Sequence, residues 1–237
     1  MNLGITKSLF FFNTVLLILF SLIFLFFPDL DILLSKYFFY EGKFISEKYT
    51  FIKTLRKYLK EFMVVIPILS LFFLTSYSIN RRQKIKQIFR LRTKYALIGL
   101  ILGPIIGCGI IANLYFKDTW GRARPVHIEE FGGDKIFTPP FLKSDQCYKN
   151  CSWISGETSA AFSFVVGTLL FKKKFFLICN LILGILVFFC RLSMGGHFFS
   201  DNIFAMIFMI YLAILYKNLV YSSLKKRLLN ERSFSNY

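Results

Sequence analysis

Arg191-Leu192-Ser193-Met194-Gly195-Gly196-His197-Phe198-Phe199-Ser200-Asp201 follows directly on the apolar run 175–190, which holds no charged residue. An uncharged run approaching the ~20 residues of a bilayer crossing reads as a membrane helix. The residues after it place an arginine, a histidine and an aspartate at its mouth in the spacing R-x5-H-x3-D. His197 is one of only two histidines in the 237 residues, and ionisable groups at membrane depth are expensive to keep without a task. The trio suits phosphoryl transfer. Arginine offers phosphate a rigid fork of donors, a neutral imidazole can attack phosphorus, and a carboxylate can hold the other ring nitrogen in the right tautomer. On a helix, the i, i+4 spacing of His197 and Asp201 puts both on one face. The same residues would also serve as a structural pair at a helix end, and this segment alone leaves both readings open.

Two further segments bear on that choice. Lys117-Asp118-Thr119-Trp120-Gly121-Arg122-Ala123-Arg124-Pro125 begins where another apolar run stops. Ser152-Trp153-Ile154-Ser155-Gly156-Glu157-Thr158-Ser159 supplies a Ser-Gly turn before a third, and exposed N–H groups at a helix start form an anion site. The order K…RP…SG…R…H…D resembles the three-part signature of the type 2 phosphatidic acid phosphatase superfamily, which shares its site with vanadium haloperoxidases. The resemblance covers 117–201. It implies that Lys117, Arg124 and Arg191 clamp the phosphate and that Ser155 and the Gly156 amide complete the oxyanion cradle. It also implies that His197 is the nucleophile, oriented by Asp201. No cofactor or metal is expected, because the cationic side chains would do the electrostatic work. The sequence also has no carboxylate cluster or His/Cys spacing suited to a metal.

The chain departs from that signature twice. Cys190 stands before Arg191 where serine is common, and Glu157 stands where a histidine normally protonates the leaving oxygen. A glutamate can act as acid only if its pKa is raised, and surrounding cations push the other way. Glu157 is therefore either a tuned acid, the preferred reading, or an anion that orders the arginines while water protonates the leaving group. The acidic residue, together with 120–126 and 133–141 and then Cys147, Asn150, Cys151 and Ser152, resembles the lipid A 4′-phosphatases of Gram-negative inner membranes. Lipid A 1-phosphatases lie close to that pattern. The resemblance implies a metal-independent phosphatase acting on lipid A, whose loss of charge would weaken attraction of cationic antimicrobial peptides. The alternatives are undecaprenyl pyrophosphate or phosphatidylglycerol phosphate as substrate or, in another class, a non-catalytic lipid binder or transporter.

Composition agrees with a membrane protein. Apolar residues make up 55% of the chain, 31 of them Phe, and mean hydropathy is +0.55, outside the range of soluble domains. The expected fold is all-α, one domain over 1–237, with six spans near 8–28, 62–80, 95–116, 158–171, 175–190 and 202–220. The first resembles a signal peptide, but Phe27-Pro28-Asp29 offers no small-residue cleavage site, so an uncleaved span is expected. The segment 29–61 is too charged to cross and reads as an amphipathic helix at the interface, serving as a wall or lid for substrate or as a plain connector.

Orientation follows from the basic residues flanking the spans. Connector 81–94 carries Arg81, Arg82, Lys84, Lys86, Arg90, Arg92 and Lys94 without an acid, and Lys172-Lys173-Lys174 and the tail near 221–237 are also basic. Loop 117–157 balances six basic against six acidic residues. The basic connectors are expected in the cytoplasm beside anionic phospholipids, with both termini inside and the motifs facing the periplasm. The net charge of +17 is thus explained without nucleic acid. Cys108, Cys179 and Cys190 fall in apolar runs, whereas Cys147 and Cys151 lie in the outer loop and are expected to form a disulfide. Arg122 is a candidate second phosphate or sugar contact. His127 is a loop residue or a substrate contact.

Overall fold

The computed structural model describes residues 3–79, 87–171 and 173–234. Arg81, Arg82, Lys84 and Lys86 of the basic connector and Lys172 lie outside the described residues. The chain is mostly helical, as lipid demands: backbone polar groups must be satisfied within the segment. Helix α1 (Leu3–Phe26) stops just before Pro28, and α2 (Leu30–Lys36) follows. A short antiparallel hairpin pairs β1 (Phe39–Tyr40) with β2 (Lys43–Phe44). Its turn uses positive φ at Glu41 and Gly42 (52° and 77°), the backbone twist that two-residue hairpins require. Helix α3 (Ile45–Lys48) leads into α4 (Thr50–Ile79).

Helix α5 (Gln87–Pro104) continues past its proline as a π-helical stretch, Ile105–Lys117. After a long loop come α6 (Gly156–Ser163), α7 (Val165–Phe171), α8 (Lys174–Ser193) and α9 (Phe199–Phe234). Five helices are long and apolar enough to cross a bilayer: Thr6–Phe26, Thr50–Ser76, Leu91–Lys117, Lys174–Ser193 and Phe199–Lys225. The Gly156–Phe171 pair is apolar but shorter. At ~1.5 Å rise per residue it falls short of the ~30 Å hydrocarbon core.

The segment 29–61 differs from the single amphipathic helix expected of it. It contains α2, the hairpin and α3, and from Thr50 it is already the start of α4. The charged residues Lys53, Arg56, Lys57, Lys60 and Glu61 are good helix formers, so the helix begins well before the apolar part and carries a charged end. That charged end becomes part of the site described below.

The packing fixes which helix ends meet. Gly99 lies against Gly167, whose Cα is 3.1 Å from where a Cβ would stand, a small-residue contact that lets α5 and α7 approach closely. Arg92 caps the end of α7, donating from Nε to the Leu170 carbonyl (2.8 Å) and from Nη2 to that of Phe171 (3.1 Å). Lys217 of α9 bonds Thr6 of α1, while Phe24 packs on Phe199 and Phe204 at the other end of that pair. The described parts of the basic connectors and both terminal helix ends therefore lie at one end of the bundle. Loop 118–155, α2, the hairpin and the α8–α9 turn lie at the other. There Trp153, Phe204, Phe141 and Trp120 form an aromatic core, and Phe44, Phe131, Ile128 and Phe198 form a second.

Candidate active site

Helix α8 ends at this face through Gly195, whose φ of +59° turns the chain as helix C-termini commonly do. The Gly195 and Gly196 amides donate to the Leu192 and Arg191 carbonyls (2.9 and 3.0 Å), which reverses the chain and delivers His197 into the bundle. Gly196 is required by close approach. A Cβ there would stand 2.7 Å from the Arg191 guanidinium carbon, so the guanidinium rests flat on the glycine backbone.

His197 is 1% exposed. Its Nδ1 donates to the Ser152 carbonyl at 2.7 Å, which fixes the tautomer and leaves Nε2 with its lone pair. Asp201, expected to do this directly, lies 3.6 Å from Nδ1, beyond hydrogen-bonding distance. Its carboxylate instead accepts from Ser152 Oγ (2.5 Å), Arg122 Nη1 (2.6 Å) and the Phe198 amide (2.8 Å). Asp201 is therefore linked to His197 through Ser152. Burial, and then the positive charges of Arg191, Arg124 and Lys117, hold the imidazole pKa well below the ordinary histidine value. The ring is neutral.

The three cations arrive from three directions. Lys117 ends the π-helical stretch, and its Nζ lies 3.0 Å from where a Cβ of Gly156 would be, over the start of α6. Arg124 reaches in from the loop just before Pro125. Arg191 is the last buried cation of α8, with a side chain 5% exposed, and its Nε has no hydrogen-bond partner among the described residues. Asn150 engages the other two: its Oδ1 accepts from Lys117 Nζ (3.2 Å), and its carbonyl accepts from Arg124 Nε (3.1 Å) and Nη2 (2.8 Å). Asn150 adopts φ of +55° within the loop closed by the Cys147–Cys151 bond, whose Cα atoms are 5.6 Å apart.

Four of the expected site residues have surroundings that bear on the roles open to them. The Ser155 hydroxyl is spent on capping α6: it accepts from the Thr158 amide (3.4 Å) and donates to Thr158 Oγ1 (2.9 Å). Of the Ser-Gly pair, only the Gly156 amide remains uncapped in the first turn, where helices have no internal acceptor. Arg122 is 0% exposed. It bonds the Thr138 carbonyl (2.8 Å), Ser200 Oγ (2.9 Å), Asp201 (2.6 Å) and Asp31 (2.8 Å), with its plane over Phe198 at 4.2 Å. It is a buried structural centre rather than a contact for substrate. His127 is exposed, and no hydrogen bond joins its ring to the cluster among the described residues.

Glu157 is the fourth. Arg56 of α4 grips its carboxylate with a two-point fork, Nε to Oε2 at 3.0 Å and Nη2 to Oε1 at 2.5 Å. Arg191 Nη1 lies 3.7 Å from Oε1. Two guanidiniums favour the ionised form of a carboxyl, which is the wrong form for a proton donor. The geometry supports the ordering account over the acid account.

Arg56 and Asp31 were not singled out by sequence reading. Both lie outside the motifs, Arg56 101 residues from Glu157, and neighbouring charges such as Lys53, Lys57 and Lys60, or Asp29 and Lys36, leave neither distinct in the sequence. Beside the cluster a cavity of about 780 Å³ runs between α4 and the π-helical stretch. Lys60, Lys117, Lys149, Asn150 and Glu157 line its polar part, and Met63, Val64, Pro67, Ile68, Ile105 and Leu114 its apolar part. Among the described residues no group of three or more His, Cys, Asp or Glu is placed to hold a metal ion.

A membrane helix bundle with three motif-borne cations around a buried neutral histidine is the architecture of a phosphate-handling family. Residues 95–225 match the PAP2 superfamily, and the chain belongs to it. The chain is similar to the lipid A 4′-phosphatase of Francisella tularensis subsp. novicida, 38% identical over 191 residues that span 78% of this chain and 83% of that protein. It is also similar to the lipid A 4′-phosphatases of Rhizobium leguminosarum and Rhizobium etli, each 34% identical over 114 residues, or 46% of this chain. Those matches span 47% and 42% of the rhizobial proteins. No solved structure matches the chain.

Proposed function

We propose that this protein is an integral-membrane lipid phosphatase that removes the 4′-phosphate of lipid A through a phosphohistidine on His197. The observation that carries the reading is the His197 ring itself, neutral, with Nδ1 committed to Ser152 and Nε2 uncommitted amid Lys117, Arg124 and Arg191. The phosphate displaces the Asn150 oxygens from Lys117 and Arg124 and takes up the free Arg191 donors and the Gly156 amide. The sugar then enters at the polar mouth of the cavity and acyl chain along its apolar wall. Nε2 attacks phosphorus, the bond from phosphorus to the sugar oxygen breaks, and the sugar alkoxide takes a proton from water. A second water then attacks phosphorus, the P–N bond breaks, and inorganic phosphate leaves with neutral imidazole restored. The cations stabilise charge on the equatorial oxygens in both steps. Glu157 spaces Arg56 and Arg191 and donates no proton.

In this reading the chain crosses the membrane six times, with α6 and α7 together forming the short fourth crossing. Two observations support it. The described ends of both terminal helices lie at one end of the bundle, as an even number of crossings requires, and the described parts of the basic connectors flank that same end, as the cytoplasmic side should. The site then faces the periplasm of an inner membrane, where the Cys147–Cys151 bond would persist. The first turns of α4 and the α2-hairpin segment form a wall at the interface. A single domain spans 1–237, with its signature in 117–201.

The test is incubation of the purified protein with lipid A in bilayers, reading the lost phosphate by mass and position. Loss of the 4′-phosphate is expected, together with acid-labile label trapped on the protein. His197→Ala is expected to abolish both, by about 10⁴-fold or more in turnover, while the protein stays folded. Loss of the 1-phosphate, or turnover only of undecaprenyl pyrophosphate or phosphatidylglycerol phosphate, would reassign the substrate. Turnover surviving in His197→Ala would reject the mechanism.

A further inference from the structure

Arg56 belongs to none of the three motif segments, yet it makes the tightest contact with the one site residue that departs from the family signature. Glu157 lies between two guanidiniums and is shared unequally. Arg56 holds both carboxylate oxygens, at 3.0 and 2.5 Å, whereas Arg191 stands off at 3.7 Å. The Arg191 guanidinium lies against Gly196, where a Cβ would stand 2.7 Å from its central carbon. Glu157 stands in the first turn of α6, between the two guanidiniums. Its bond to Arg56 determines how much of its charge Arg191 sees.

We propose that Arg56 is a positioning residue that draws the Glu157 carboxylate away from Arg191 and so keeps the Arg191 guanidinium open to phosphate. The inference rests on the phosphatase reading above and gives Arg56 a task that reading leaves open. Arg191 is almost fully buried while Arg56 is a third exposed. A carboxylate released from Arg56 would find its strongest remaining attraction at the less solvated guanidinium. It would pair with Arg191 in a fork and compete with substrate for the same donors. Arg56 also sits on the face of α4 that carries Lys60, Met63 and Pro67, residues that line the cavity. The helix that walls the proposed lipid groove thus also sets the charge balance of the phosphate clamp.

The proposal separates from a direct phosphate contact by a double-variant comparison on the full-length protein in detergent. The readout is inorganic phosphate binding by calorimetry, with kcat and KM on a soluble aryl phosphate alongside. Arg56→Ala is expected to weaken phosphate binding by about ten-fold, a change of ~1.4 kcal/mol, and to raise KM more than it lowers kcat. Removing the competing carboxylate as well, in Arg56→Ala/Glu157→Gln, is expected to restore phosphate binding to within about three-fold of the unaltered protein. Arg56→Lys, which keeps the charge and loses the fork, should fall between and serves if the alanine variant does not fold. Unchanged binding in Arg56→Ala and Arg56→Lys would overturn the proposal. So would a double variant as weak as the single, which would mean that Arg56 touches phosphate itself. Absence of phosphate binding in the unaltered protein would instead remove the phosphatase reading on which the inference stands.

Discussion

Two clusters of charge share the active-site end of the bundle and are built on opposite plans. Around Arg122, every charge is answered: Asp31, Asp201, Ser200 and the Thr138 carbonyl take up the guanidinium, and Asp31 also accepts from the Ser200 amide at 2.9 Å. Both ion pairs are wholly buried. Around His197, among the described residues, the cations are less fully paired: Arg191 keeps an unpartnered Nε, and Lys117 and Arg124 lean on the neutral oxygens of a single asparagine. A closed network rigidifies, whereas an under-satisfied one is costly unless a ligand completes it. The difference separates scaffold from site more clearly than residue type does, since both centre on arginines only two to several residues from motif positions. The two plans meet at Ser152 and Asp201: Arg122 holds Asp201, Asp201 holds Ser152, and Ser152 holds His197.

The strongest way to break this comparison is to truncate one arginine from each cluster. Arg122→Ala leaves Asp31 and Asp201 buried without their cation, so a loss of about 3–5 kcal/mol of stability is expected, as for other broken buried pairs. Thermal unfolding and membrane yield would register it. Arg191→Ala should lower kcat by about 10²–10³-fold, the scale for removing one charge-stabilising donor, with little change in unfolding temperature. The reverse pattern, Arg191 governing stability and Arg122 only turnover, would dissolve the distinction.

A smaller effect sharpens the role of the residue between Arg56 and Arg191. If Glu157 orders the clamp, Glu157→Gln should slow lipid phosphate and activated aryl phosphate alike, by about ten-fold or less, because the clamp is common to both. A loss confined to the lipid, whose sugar alkoxide needs a proton to leave, would restore the acid role.

The smallest expected effect is in the pH profile. The His197 pKa lies below its ordinary value of 6.5, so the neutral nucleophile persists on the acid side of that value. The acid limb of kcat/KM should therefore begin below 6.5, and a limb at or above it would show the ring to be more solvated than the structure has it. The linked stability runs the same way. The unfolded chain binds a proton at its histidine near 6.5 while the folded protein does not, so this contribution to stability is present above that pH and lost as pH falls below it.

Much of this protein was written along the chain. Apolar runs marked the five long helices because a bilayer selects on length and hydropathy alone, and the order of Lys117, Arg124, Arg191, His197 and Asp201 pointed to a phosphate site through its resemblance to a family signature. The α6–α7 run was legible as apolar and, at 158–171, as short for a bilayer crossing, whereas its break between Ser163 and Val165 came only with the fold. Sequence reading placed Arg122 and Arg124 alike, two residues apart in one motif. Only the fold decided that one is sealed among Asp31 and Asp201 while the other reaches the Asn150 carbonyl beside Lys117. It likewise took the fold to turn Glu157 from a candidate acid into a carboxylate, through an arginine 101 residues away. The physical reason is common to both cases. Hydropathy and helical spacing are properties of neighbours in sequence. The protonation state of a carboxyl and the availability of a guanidinium depend on burial and on partners, and the packing of distant helices supplies both.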